Sequence, residues 1–168
     1  MGEAFLMQKG EMVEPAPPDP WGDATPYYWE GQENIIWETL IGSGGGTLTK
    51  NTDNLYVLST SGGRGYISNS KVNLTGISIL YFEMSYSATK GTDFAGCNFS
   101  VNTQKSDDSW VARLAYQAHS VSSVSGTKDI RTLDVSGLSG DYHISIYCYS
   151  GTAGSSSATS TTYRVWGE

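Results

Sequence analysis

At 168 residues the chain has room for one ordinary domain and a tail. Charged side chains make up 16% of it, and Gly, Ser, Thr and Tyr dominate, a composition that suits short strands and turns and disfavours a helical bundle. The net charge of −7, with no basic cluster, excludes a phosphate-backbone binder, and no run is apolar and long enough to span a membrane. Neither nucleic acid nor membrane is therefore expected as a partner.

The opening MGEAFLMQKGEMVE has a short apolar core, Ala4 to Met7, flanked by acids and without a cleavage site. It does not read as a signal peptide, so a chain made and kept in the cytosol is expected. Glu14-Pro15-Ala16-Pro17-Pro18-Asp19-Pro20 is poor in backbone donors and is expected to be extended and stiff. Residues 1–34 thus read as an arm. Its large apolar groups, Phe5, Leu6, Met7, Trp21, Tyr27, Tyr28 and Trp29, need burial, either on the chain's own domain or on a partner. Each is worth about 1.5–3 kcal/mol when buried, against about 1–2 kcal/mol per ordered backbone residue. Docking on another subunit or on a larger assembly is the expected balance.

From residue 35 the pattern becomes that of strands. Ile35 to Ile41 reads as one, followed by the Gly-rich break Gly42 to Gly46, which lacks the Gly-Lys-Ser/Thr ending of a phosphate loop. Leu55 to Leu58 and Gly65 to Ser68 are short strands. Ile77 to Tyr86, apolar on both faces, reads as a central strand. In Gly96 to Asn102 the residues Cys97, Phe99 and Val101 share a face. Trp110, Ala112, Leu114 and Tyr116 are expected to share another. Val121 to Gly126 reads as a loop or weak edge strand.

Ile130 to Tyr149 carries the clearest signal. Tyr142, Ile144, Ile146 and Cys148 alternate with His143, Ser145, Tyr147 and Tyr149, the period of a half-buried strand. Leu133 and Val135 share a face in the preceding strand, and Ile130, out of step with them, suggests a bulge. The two strands read as a hairpin closed by Ser136 to Asp141, with Leu138 tucked over the end of the core. The Gly/Ser/Thr/Ala segment from Gly151 to Thr162 then leads to a last strand, Tyr163 to Trp166. About nine short strands without a helix predict an all-β, antiparallel, jelly-roll-like β-sandwich over residues 35–168.

The chemistry is sparse. No nucleophile elbow, zinc spacing or EF-hand loop is present. Cys97 and Cys148 read as free thiols on core faces, with a disulfide as the alternative. Glu83 interrupts an apolar strand and is read as outward-facing; carboxylates such as Asp107 and Asp108 could meet at a calcium site or, paired, at a glycosidase site. No catalytic residue, metal ligand or cofactor is assigned, and the chain is expected not to be an enzyme. Binding has better candidates: His143, Tyr147 and Tyr149 share the non-core face of one strand, where Tyr rings can stack on sugar or contact protein.

The start MGEAFLMQKG with its Pro-rich connector, and Leu133-Asp134-Val135-Ser136-Gly137-Leu138-Ser139-Gly140-Asp141-Tyr142-His143-Ile144-Ser145-Ile146, resemble small tail and fibre proteins from phages and prophages of Gram-positive gut bacteria. Similar sandwiches occur among carbohydrate-binding modules. The resemblance implies a non-enzymatic virion part at a tail, fibre tip, baseplate or head, made in the host bacterial cytoplasm. It also implies assembly with itself, preferably as a homotrimer, and with other virion proteins, and contact with host-surface polysaccharide. A carbohydrate-binding module and a glycan hydrolase are the alternatives.

Overall fold

The computed structural model describes residues 23–29, 37–41, 47–50, 55–60, 64–104, 110–117, 123–151 and 155–168. They form an all-β sandwich of two antiparallel sheets. In the first, the order is β10 (Ser123–Asp134), β7 (Ile79–Thr89), β12 (Ser157–Gly167), β4 (Leu55–Thr60) and β3 (Thr47–Lys50). In the second it is β2 (Trp37–Ile41), β5 (Arg64–Asn69), β11 (Asp141–Ser150), β8 (Ala95–Asn102) and β9 (Trp110–Gln117). Two short strands complete the sheets: β1 (Thr25–Trp29) beside the second half of β12, and β6 (Val72–Asn73) beside the start of β11.

The long strands owe their place to alternation. In β7, Leu80, Phe82, Met84, Tyr86 and Ala88 point inward and are buried, while Ile79, Tyr81, Glu83, Ser85 and Ser87 point outward and are half-buried. The strand has a neighbour on each side, β10 and β12, but its outward face is not a second core. Opposite it, β8 contributes Cys97, Phe99 and Val101 and β11 contributes Ile144, Ile146 and Cys148. The sheets meet through Phe82 and Phe99, whose tilted rings lie 5.1 Å apart. Both are fully buried, and burial stabilises each by about 1.5–3 kcal/mol.

Several expectations need correction. Ser123–Asp134 is a single edge strand, and its irregularity falls between Gly126 and Asp129, where Lys128 has a φ of 47°. Ile130 is out of step with Leu133 because it faces outward, 56% exposed, in an unbroken register from Asp129 to Asp134. The stretch Ile130 to Tyr149 is not a hairpin either. Its first strand belongs to one sheet and its second to the other, so residues 135–140 cross the sandwich. Val135 is buried there and donates its N–H to the Ser78 carbonyl at 2.9 Å. Leu138 packs over the end of the core, as expected, and donates to the Val135 carbonyl at 2.8 Å. Gly140, with φ 99°, completes the turn at low conformational cost.

The C-terminal strand begins at Ser157, six residues ahead of the expected Tyr163. Ala158, Ser160 and Thr162 all face inward and are buried. Their small side chains hide the alternation from a hydrophobicity pattern. At the other end, Thr25–Trp29 pairs with Arg164 to Gly167 of β12, so the sandwich takes in residues ahead of the expected boundary at 35. Pro26, which lacks a donor, sits beside the bulge in this pairing. Tyr27 and Tyr28 are 3% and 1% exposed in the domain's own core, and Tyr28 meets Trp37 of the other sheet edge-on at 5.9 Å. They are not free to dock on a neighbour. Phe5, Leu6, Met7 and Trp21 lie outside the described residues, as does the side chain of Trp29.

Candidate functional site

The outward face of the second sheet gathers the polar residues that alternate with the core. Strand β11 presents His143, Ser145, Tyr147 and Tyr149; opposite them β8 presents Asn102, Ser100, Asn98 and Gly96. Strand β9 continues the rows with Trp110, Arg113 and Ala115 opposite Asn102, Ser100 and Asn98. Three sequence candidates, His143, Tyr147 and Tyr149, therefore share this face. His143 and Tyr149 are buried, at 6% and 9% exposure, and Tyr147 is half-buried.

Trp110 reaches this face through a bulge. Val101 pairs with Ala112 and Asn102 with Trp110, so β9 carries one extra residue at Val111. Ala112, Leu114 and Tyr116 pack against the core as expected. The extra residue reverses the alternation, and Trp110 joins the face of Asn102, 40% exposed. The Arg113 guanidinium lies 4.0 Å from the centre of its ring.

At the other end of the face Tyr147 and Tyr149 stack with centroids 5.6 Å apart and planes 26° apart. Phe94, 37% exposed, leans on Tyr149 at 5.7 Å. Beyond it Lys90, Thr92, Asp93 and Phe94 line an open cavity of about 270 Å³. Burial pushes the Tyr149 phenol up to about 12, with nearby Arg113 pulling in the opposite direction. The ring is thus a neutral platform with a hydroxyl at its rim.

Between these ends lies a buried polar row. Asn102 Nδ2 donates to Ser145 Oγ at 2.8 Å and to Ser100 Oγ at 3.2 Å. Its Oδ1 has no protein partner, and neither has Oδ1 of Asn98; both atoms are buried. The residues are 1% and 5% exposed. Two unpaired acceptors on one face are unusual, since most buried polar atoms are bonded. Sequence reasoning missed Asn98, Ser100, Asn102, Trp110, Arg113 and Phe94. The alternation of Gly96 to Asn102 marked the Asn and Ser side chains as outward, but not as buried.

The other candidates lie elsewhere. Glu83 is on the first sheet, faces outward as read, and accepts a hydrogen bond from Arg164 Nε in an ion pair. Asp107 and Asp108 fall outside the described residues. Among the described residues, no group of three or more His, Cys, Asp or Glu side chains converges as a metal site would require.

No family model matches the chain, and no curated protein matches it. Solved structures resemble it in outline. One is the family 43 arabinoxylan arabinofuranohydrolase from Bacillus subtilis, solved with cellotetraose: 15% identical, TM-score 0.40, covering 80% of this chain and 24% of the hydrolase. The chain thus spans about a quarter of that enzyme. Another is the carbohydrate-binding module TmCBM61, solved with β-1,4-galactotriose: 7% identical, TM-score 0.41, covering 79% of this chain and 88% of that one. A third is the family 11 carbohydrate-binding module of the cellulase Lic26A-Cel5E of Clostridium thermocellum: 11% identical, TM-score 0.37, covering 84% and 93%. These are likenesses of sandwich outline, and no residue role passes from them to this chain.

Proposed function

We propose that the domain binds a glycan on the outward face of its second sheet and does not turn it over. One observation carries this reading: Asn98 and Asn102 hold buried, unpaired amide oxygens on the same face as the stacked Tyr147 and Tyr149 rings. An unpaired buried acceptor costs about 1–3 kcal/mol. A ligand hydroxyl that donates to it recovers that cost on binding, while an apolar sugar face stacks on tyrosine. Both amide oxygens are buried, so a ligand reaches them only as neighbouring side chains move, Asn98 being the less deeply buried residue.

The test is calorimetric titration of the full chain against a panel of neutral and acidic cell-wall oligosaccharides. Asn98→Ala and Tyr147→Ala are each expected to weaken binding at least tenfold. Absence of binding across the panel, or affinity indifferent to both substitutions, would contradict the proposal. New reducing ends on prolonged incubation would contradict the absence of turnover.

The same face would serve a virion part that touches host-surface polysaccharide, as a homotrimer or otherwise. That setting rests on the sequence resemblance alone. Mass spectrometry of purified particles from a host carrying the gene tests it: the chain is expected among the virion proteins.

A further inference from the structure

Cys97 and Cys148 stand directly opposite each other on β8 and β11. Both are free and fully buried, with Sγ atoms 3.3 Å apart. Directly opposed residues of an antiparallel pair have Cα atoms about 4.5–5.5 Å apart, inside the roughly 4.4–6.8 Å that a disulfide spans. Both side chains point into the sandwich toward adjacent residues of β12. Cys97 Sγ donates to the Thr159 carbonyl at 3.1 Å, and Cys148 Sγ lies 3.5 Å from Ser160 Oγ. Bringing the sulfurs to about 2.05 Å is a matter of side-chain rotation, with the strand register unchanged.

We propose that Cys97 and Cys148 are a disulfide site that ties β8 to β11 when the chain folds under oxidising conditions. A small-molecule disulfide such as oxidised glutathione supplies the oxidant. One cysteine thiolate attacks it and expels one glutathione thiolate, leaving a mixed disulfide. The second cysteine then attacks the protein sulfur of that bond and expels the other. The protein loses two hydrogens, and one oxidised glutathione becomes two reduced ones.

The structure also sets when this happens. Both sulfurs are fully buried, so the folded protein offers an oxidant no access, and the hydrogen bond with Cys148, together with burial, holds the Cys97 thiol well above its ordinary range. Exchange therefore belongs to the unfolded or partly folded chain, in which the pair is accessible. The bond joins residues 51 apart in sequence, so it restricts the unfolded chain strongly. It also lies beneath the polar face: Cys148 is flanked by Tyr147 and Tyr149, and Cys97 by Gly96 and Asn98. This inference stands independently of what that face binds.

The full chain is unfolded with reductant, then refolded either in a glutathione redox buffer or in reductant alone. It is next denatured, alkylated and weighed intact. Refolding in the redox buffer is expected to give a product lighter by two hydrogens, resistant to alkylation, with a Cys97–Cys148 linked peptide. Its melting temperature is expected to rise by roughly 10 °C over the reduced form. The folded reduced protein, given oxidised glutathione without denaturant, is expected to keep both thiols. Two alkylated cysteines, stable glutathione adducts, or a linked form that melts below the reduced one overturns the proposal. Cys148→Ala provides the control: its melting temperature is expected to be the same after both refoldings, and a comparable rise in it would also overturn the proposal.

Discussion

The phenol of Tyr149 occupies the space that any side chain at Gly96 would need. A Cβ on Gly96 would lie 2.5 Å from Tyr149 Oη and 2.6 Å from its Cζ, and 2.8 Å from the Tyr116 carbonyl oxygen. The two residues are register partners on β11 and β8, so the ring crosses over the bare backbone of the neighbouring strand. Gly96→Ala is expected to push the ring aside and to destabilise the fold by about 1–3 kcal/mol. Urea denaturation measures this. In a Tyr149→Ala background the penalty is expected to shrink but not vanish, because the Tyr116 carbonyl remains. Equal penalties in both backgrounds would show that the ring is not what the methyl meets.

Burial raises the phenols of Tyr149 and Tyr116 to about 12 from an ordinary value of 10.0. The folded state therefore holds these protons when the unfolded chain has lost them. The stabilising contribution is fully present below pH 10 and is lost as pH rises from 10 to 12. Stability is expected to fall across that window, and the fall to be smaller in Tyr149→Phe. Thermal melts at stepped pH, with the tyrosinate absorbance as a second readout, test the sign. A rise in stability over the same range would contradict it.

Glu83 and Arg164 form a partly exposed ion pair on the sheet opposite the candidate site, with the Arg164 side chain 44% exposed. Such pairs contribute little, since solvent screens them and two long side chains must be held in place. Glu83→Gln is expected to cost less than about 1 kcal/mol and to leave glycan affinity unchanged. A larger loss of affinity than Asn98→Ala produces would move the site to the first sheet.

Phe99 and Phe82 bridge the sheets at the centre of the core. Phe99→Ala is expected to cost about 3–5 kcal/mol, from lost burial and the cavity left behind. Trp110→Ala, at the rim, is expected to cost about 1 kcal/mol or less, mainly the stacking with Arg113. Chemical denaturation separates the two. A Trp110 variant as unstable as the Phe99 variant would mean that Trp110 is a core residue.

Alternation by itself determined the class of this fold. Every second residue of Leu80 to Ala88, Cys97 to Val101 and Tyr142 to Cys148 needs either a core or solvent, and a sandwich or a barrel meets that need for so many short strands; the pairing into two sheets makes it a sandwich. It also placed His143, Tyr147 and Tyr149 on one face. Which strands pair, however, is decided by long-range packing, and local pattern does not record it. Val135 and Leu138 turn an apparent hairpin into a crossing between sheets. Ser160 and Thr162, too polar to read as core, are buried because they lie on the inner face of β12, toward the other sheet. The face itself was decided by tertiary structure: one extra residue at Val111 brings Trp110 to Asn102, and the packing around β8 closes Asn98 and Asn102 off from water. Burial and register depend on partners distant in sequence, and the alternation of a single strand carries no information about them.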